Sequence, residues 1–222
     1  QLATVGMLGA SLAHEIRNPL VSIKAFSQLL LVHHGDSAFR EKFSGIITSE
    51  IARIESLTDQ LLDLAAPKNF VETLVDIHSV INSCVDILST KAALNSVQIE
   101  TRLEAVPSMS LTDPSAVRQI VINLCFNAIQ AFEPNHSGPR WVRLITRNLG
   151  SGIELSVCDT GPGISQEMWG RLFEPFQTTK SSGFGLGLVI CRDILLRLRS
   201  SISVDTPVPG QGATFRVVFP GP

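Results

Sequence analysis

Two runs of apolar residues recur at intervals of three and four, and only a short turn separates them. The first contains Val5, Leu8, Leu12, Ile16, Leu20, Ile23 and Leu30. The second contains Phe43, Ile47, Ile51, Ile54, Leu57, Leu61 and Leu64. Such spacing winds an apolar stripe along one side of an α-helix. It predicts helices from about Ala3 to His33 and from about Phe39 to Leu64, with turn chemistry at His33-His34-Gly35-Asp36 between them. Two amphipathic helices joined this closely fold back as an antiparallel hairpin. One hairpin has little core of its own. Docking two of them into a four-helix bundle hides both stripes, so a homodimer is expected. Pro19 falls inside the first helix, where it removes one backbone donor and crowds the preceding turn. A local kink is expected there rather than an end, because the apolar spacing continues through Ile23 and Phe26.

Residues 12–19 read Leu-Ala-His-Glu-Ile-Arg-Asn-Pro. His14 lies two residues after Leu12 and two before Ile16, which turns it well away from the stripe. Asn18 is one helical turn further on and flanks the imidazole. A histidine displayed outward beside Glu15 suits a nucleophile better than a packing residue.

The chain has 222 residues, 44% of them hydrophobic and 17% charged, so a packed core is affordable and wholesale disorder is not expected. Net charge is −2 and Lys and Arg form no long run, so nucleic acid is not indicated as a partner. Cys84, Cys125, Cys158 and Cys191 are widely spaced in apolar surroundings and read as reduced, buried thiols. The adjacent His33 and His34 have no further ligand near them in sequence, which argues against a metal site. No signal peptide and no apolar run of about 18 residues is present. The chain starts almost directly in a helical pattern. A fragment lacking an upstream sensor region is the expectation, cytoplasmic as it stands and compatible with membrane attachment of the whole protein.

Ala65-Ala66-Pro67-Lys68-Asn69 breaks the periodicity and divides the chain into 1–66 and 67–222. Strands are expected at Val71–Val75, Val97–Leu103, Ser108–Leu111, Trp141–Asn148, Ile153–Asp159, Ser201–Asp205 and Ala213–Phe219. Helices are expected at Ile77–Ala93, from Asp113-Pro114 through Ile129, and at Gly187–Leu198. Asp113-Pro114 is a capping residue followed by proline at the first helical position. The result is an α/β sandwich with its sheet covered on one face, giving an α+β chain overall.

Three constellations in this second part carry chemistry. Asn123 and Asn127 stack on one face of the long helix. Asparagine is a mediocre helix former, so the pair is either a set of solvated or core-bonded amides or a ligand site. An amide oxygen there suits Mg²⁺, a hard ion. Ile153, Leu155, Val157 and Asp159 alternate and share a strand face. Either Asp159-Thr160-Gly161-Pro162-Gly163 is an ordinary turn at a strand end, or Asp159 is a carboxylate at an apolar wall awaiting a donor such as an adenine amino group. Lys180 precedes Gly183-Phe184-Gly185-Leu186-Gly187, where alternating glycines open a helix. That arrangement favours phosphate, with helix-packing glycines as the competing explanation. The spacing is neither the Rossmann nor the Walker A pattern.

Taken in order, the histidine octapeptide, the paired asparagines, Asp-Thr-Gly-Pro-Gly, Leu172-Phe173-Glu174-Pro175-Phe176, Lys180 and the glycine triplet resemble the H, N, G1, F and G2 boxes of bacterial sensor histidine kinases. Gly210-Gln-Gly212-Ala-Thr214 resembles the family's last hairpin. His-Glu-Ile-Arg-Asn-Pro looks like the nitrogen-regulatory-like subgroup. The resemblance covers essentially the whole chain. It implies a dimerisation and histidine-phosphotransfer hairpin followed by an ATP-binding sandwich of the histidine-kinase/gyrase type.

By that resemblance His14 attacks the γ-phosphorus of ATP, Glu15 accepts the proton from the other ring nitrogen, and Asn18 orients a water when a partner response regulator receiver domain is dephosphorylated. A bifunctional kinase and phosphatase is implied. Asp159 binds adenine in a pocket shaped by Gly161 and Gly163. Asn127 holds Mg²⁺ with Asn123 in support and Gln130 near the phosphates. Lys180 and the loop of Gly183, Gly185 and Gly187 cover the triphosphate. Residues from about Gly163 to Gly185 form a lid anchored by Phe173 and Phe176, and the sandwich swings on Ala66–Phe70. Two departures stand out. Phe184 occupies a position where many relatives have threonine, and Leu198-Arg199-Ser200-Ser201 replaces the usual His-Gly-Gly. Two other readings compete: an ATP-impaired phosphotransfer or scaffold dimer, and a different ATPase built on the same sandwich.

Overall fold

The computed structural model describes residues 2–65, 70–132, 138–178, 180, 183–206 and 211–222, with the side chains of 2–11, 31 and 63–65 not included. The expected linker at 66–69 therefore lies outside the described residues. So do Thr179, Ser181 and Ser182 of the expected lid, Gly210 of the closing hairpin, and the side chains of Val5, Leu8 and Leu64. The chain forms two compact units. One comprises Gln1–Ala66 with Ser181–Phe184, and the other Pro67–Lys180 with Gly185–Pro222.

The first unit is a helical hairpin of α1 (Leu2–His33) and α2 (Ser37–Ala65). α1 is a single helix through Pro19. Asp36 starts α2: its Oδ1 accepts from the Ala38 amide at 2.9 Å and the Phe39 amide at 3.3 Å, satisfying donors that a helix start leaves open. The turn is packed by His33 on Phe39, with ring centroids 5.2 Å apart. Along the hairpin Leu57 is fully buried, whereas Leu20, Val21, Leu29, Val32, Ile51 and Leu62 are exposed. No described helix is long and apolar enough to cross a membrane.

The second unit has two sheets. β1 (Thr73–Asp76) and β3 (Met109–Thr112) make an antiparallel ribbon. β2 (Gln98–Leu103), β4 (Trp141–Leu149), β5 (Gly152–Asp159), β6 (Ser201–Val204) and β7 (Thr214–Phe219) form a sheet in the order β2-β4-β5-β7-β6. The β2–β4 pair is parallel and the other pairs are antiparallel. The helices α3 (Ile77–Leu94), α4 (Pro114–Ile129) and α6 (Gly187–Arg197) pack side by side over the sheet. A four-residue helix, α5 (Gln166–Trp169), capped by Ser165, interrupts the expected lid; its pattern is too short to show as periodicity.

Alternation decides which face is covered. Leu144 sits opposite Val157, and Val157 opposite Phe215, and all three are buried under the helices. Each such side chain contributes about 2 kcal/mol through removal from water. The opposite face is polar: Arg143 pairs with Glu100 at 2.7 Å, and Arg216 reaches Asp205 at 2.7 Å and Glu154 at 3.0 Å. Arg216 holds the Asp205 carboxyl below its usual range. Cys158 lies opposite Arg143 on this face and is half-buried, so the expectation of a buried thiol fails there: residue 158 has the parity of the polar face. Cys84, Cys125 and Cys191 are buried and free, and burial pushes the Cys191 thiol up to about 12.

Candidate functional site

In the hairpin, His14 is exposed on α1. Asn18 places Nδ2 3.5 Å from His14 Nδ1, the outer limit of a hydrogen bond. Nε2 has no partner among the described residues. Turning the Asn18 amide over would present its oxygen to a protonated Nδ1 and leave the lone pair on Nε2. Glu15 does not reach the imidazole. Adjacent residues lie about 100° apart around a helix, and the Glu15 carboxylate instead lies 3.6 Å from Arg53 Nη2 on α2. The one-turn spacing places Asn18 beside the ring, as the geometry has it, whereas the role of Glu15 is implied only by the resemblance.

In the second unit the site is built around Asp159 at the end of β5. Burial raises its carboxyl above the usual range, opposed by hydrogen bonds from Gly161 and Ala213 and by the nearby Lys180 charge. The Gly161 amide donates to Oδ1 at 2.9 Å and the Ala213 amide donates to the same oxygen at 3.2 Å. Oδ2 has no hydrogen-bond partner among the described residues. Thr160 fixes the strand end: its hydroxyl donates to the Pro139 carbonyl at 2.6 Å and accepts from the Trp141 amide at 3.1 Å.

Gly212 and Ala213, read from the sequence only as part of a closing hairpin, prove to be supports of this carboxylate. Gly212 has φ +75°, and a Cβ there would collide with the Asp159 carbonyl oxygen. No residue with a side chain fits that position. The signal in the sequence was the Gly-x-Gly spacing, but nothing local ties it to a residue 53 positions earlier. Gly163 packs against the Gly212 backbone.

Asn123, Asn127 and Gln130 lie along the C-terminal half of α4, with Gln130 as its C-cap. The two asparagine side chains meet the start of α6: a Cβ on Gly187 would lie 3.6 Å from Asn127 Nδ2 and 3.9 Å from Asn123 Cγ. Asn123 Nδ2 is buried with no oxygen or nitrogen partner among the described residues, close to the Cys191 thiol. α6 begins after Leu186 with no side-chain cap, so its first amides are open and carry the positive end of the helix dipole. Lys180 Nζ donates to the Asn127 main-chain oxygen. Burial draws its ammonium down to about 8, against the opposing pull of Asp159.

Gly185 (φ +67°) lies so close to Gln177 that a Cβ would sit 2.5 Å from its carbonyl oxygen. Phe176, just before that contact, also takes a positive φ of 61°, and Phe173 lies under the Arg192 guanidinium at 5.8 Å. Gly183 and Phe184 fall in the first compact unit, so of the three glycines only Gly185 and Gly187 share a unit with the asparagines.

The donor set suits a nucleotide. Asn127 offers an amide oxygen to a hard cation such as Mg²⁺. The Asn123 amide and the open end of α6 offer donors to phosphate oxygens, and Asp159 Oδ2 offers an acceptor to a base.

Comparison with known proteins gives two family matches. Residues 5–69 match the His Kinase A (phospho-acceptor) domain, and residues 112–222 match the Histidine kinase-, DNA gyrase B-, and HSP90-like ATPase family. Sporulation kinase A of Bacillus subtilis (strain 168) is 34% identical over 99% of this chain and 35% of its own length. Sensor histidine kinase ZraS of Escherichia coli (strain K12) is 31% identical over 99% of this chain and 46% of its own. The chain thus spans less than half the length of these curated relatives. Among solved structures, histidine kinase ThkA in complex with response regulator protein TrrA matches with a TM-score of 0.83 at 25% identity, covering 100% of this chain and 63% of that one. Full-length ShkA in complex with AMPPNP matches with a TM-score of 0.68 at 26% identity, over 95% of this chain and 45% of that one.

Proposed function

This chain belongs to the bacterial two-component sensor histidine kinases, and from that premise we propose that it phosphorylates its own His14 with ATP and passes the phosphoryl group to a response regulator. The observation that carries the reading is the presence, in one chain, of an exposed imidazole and a buried Asp159 that, among the described residues, accepts through Oδ1 alone. Within the family, the His-Glu-Ile-Arg-Asn-Pro run supports the nitrogen-regulatory-like subgroup.

The chemistry divides between the two units. Asp159 accepts from the adenine amino group. Asn127 holds Mg²⁺, which neutralises phosphate charge when bound, and Asn123, Gln130 and the start of α6 position the phosphates. Gly161 and Gly163 shape the base pocket, and Lys180 with Gly185 and Gly187 covers the triphosphate. Nε2 of His14 forms the new N–P bond while the bond from the γ-phosphorus to the ADP oxygen breaks. Attack from Nε2 requires the proton on Nδ1, so in the reacting form the Glu15 carboxylate turns toward Nδ1 and accepts that proton, which leaves Asn18 free to orient a water. Phosphoryl transfer is mostly positioning and charge stabilisation, which allows acceptor and nucleotide to reside on separate units. The exposed apolar residues of α1 and α2 support a homodimer through the hairpin. A cytoplasmic setting follows from ATP as substrate.

Incubation with γ-labelled ATP and Mg²⁺ tests the reading. Acid-labile, base-stable label on the chain is expected; a chain that binds ATP but takes no label is the scaffold alternative and overturns it. Asn18→Ala is expected to lower response-regulator dephosphorylation by about a hundred-fold and autophosphorylation by less than about three-fold. Equal losses contradict a water-orienting role.

Lys180 makes binding sensitive to alkali. Its charged form prevails below about 8 and is lost above it. Phosphate favours the charged form, so affinity should fall as pH rises through 8, with proton uptake on binding in that range. Titration calorimetry across pH 7 to 9 checks this. A Lys180→Met chain should show weaker and flatter binding; an unchanged slope places the titrating group elsewhere.

A further inference from the structure

Asp113 takes no part in the chemistry above, yet its carboxylate joins two distant segments of the second unit. It is buried at the N-cap of α4. Oδ1 accepts from the Ser115 amide at 2.8 Å, the Ala116 amide at 3.0 Å and the Ser115 hydroxyl. Oδ2 accepts from the Val71 amide at 2.9 Å. Burial pushes this carboxyl up, but the hydrogen bonds from Ser115, Ala116 and Val71 outweigh it and hold it below the usual range. The group is therefore ionised and fully committed, one oxygen to each side.

The two sides differ in kind. Val71 is exposed and lies in a stretch, 70–72, that belongs to no helix or strand, close to where the chain enters the second unit at Pro67. α4 is an unbroken helix from Pro114 to Ile129 that carries Asn123 and Asn127. At 1.5 Å per residue, Asn123 lies about 15 Å along the rod from its cap. The helix thus has the asparagines toward one end and the tethered entry segment at the other, a continuous path between the two.

We propose that Asp113 is a positioning residue that ties the incoming chain to the asparagine helix, so that the entry segment and the nucleotide site influence each other. The inference rests on the nucleotide reading above. Linkage is reciprocal. Whatever changes the segment at Val71 changes nucleotide affinity, and nucleotide bound beside α4 changes how firmly Val71 is held.

Amide hydrogen exchange on the whole 222-residue chain tests this, with AMPPNP and Mg²⁺ as the probe. In the wild type, nucleotide should slow exchange at Val71 by about five-fold or more, the low end of ordinary coupling. Asp113→Asn keeps one oxygen for the α4 cap and turns an NH₂ group against the Val71 amide. It should accelerate Val71 exchange about ten-fold without nucleotide and abolish the slowing. Val71→Pro removes the donor instead and leaves Asp113 intact. It should shift nucleotide affinity by about three-fold or more in the same direction as Asp113→Asn, and the double variant should be no worse than either. Where Asp113→Asn folds poorly, Val71→Pro alone, which leaves the α4 cap intact, carries the test through its effect on nucleotide affinity. Binding with no effect at Val71, or slowing that survives Asp113→Asn, overturns the linkage alone. Failure of the wild type to bind nucleotide in calorimetry removes the reading of the site and the linkage together.

Discussion

His14→Gln is expected to abolish self-labelling by γ-labelled ATP, a loss of at least about a thousand-fold, while nucleotide affinity stays within about two-fold. Glutamine is close to histidine in polarity and reach, and His14 is exposed on a continuous helix. The fold should therefore change by no more than about 0.5 kcal/mol, as at other exposed positions away from special features. The amide nitrogen of glutamine has no usable lone pair, so the nucleophile is lost and little else changes. The measurement is label per chain at saturating ATP, with calorimetry of nucleotide binding alongside. Label that persists in His14→Gln assigns the acceptor to another side chain and removes the hairpin from the chemistry.

The second large effect concerns Asp159, and its two readouts move in opposite directions. In Asp159→Asn the amide oxygen can still accept from the Gly161 and Ala213 amides that now bind Oδ1. The other atom becomes a donor facing the adenine amino group, itself a donor. Loss of a charge-assisted bond together with an unpaired group costs about 3 kcal/mol, or roughly a hundred-fold in affinity. Thermal stability should meanwhile rise at neutral pH. The folded-state pKa of Asp159 is raised by burial, so the fold favours the protonated form. That contribution is fully present below the unfolded-state value and is lost as pH rises through the folded one. Near pH 7 the wild type carries a buried ion that the asparagine variant lacks. Affinity should also weaken in acid, beginning above the ordinary carboxylate range. A variant that loses affinity and stability together would mean that Asp159 is chiefly structural.

Much of this organisation was legible because the relevant signals are local. The three- and four-residue spacing marked α1 and α2, and Asp113-Pro114 marked the start of α4 at the residue where it begins. Alternation from Ile153 to Asp159 placed the carboxylate on the covered face, where the structure has it. Long-range geometry was less accessible. Gly212 and Ala213 reach Asp159 only because β7 returns beside β5. The pairing of Glu15 with Arg53 depends on the rotation of one helix against the other. Cys158 was misplaced because an apolar neighbourhood in sequence hides the strand's two-residue parity. α5 is a single turn and offers no period to detect.

The position of β7 in the interior of the five-stranded sheet has a consequence during synthesis. Asp159 is held by the main chain of Ala213, just before that strand. The Asp159 carboxylate therefore acquires this donor only after residue 213 has been synthesised and β7 has paired with β5. A nascent chain that has not yet made that return, however well its hairpin has formed, holds Asp159 without one of the two amides that orient it.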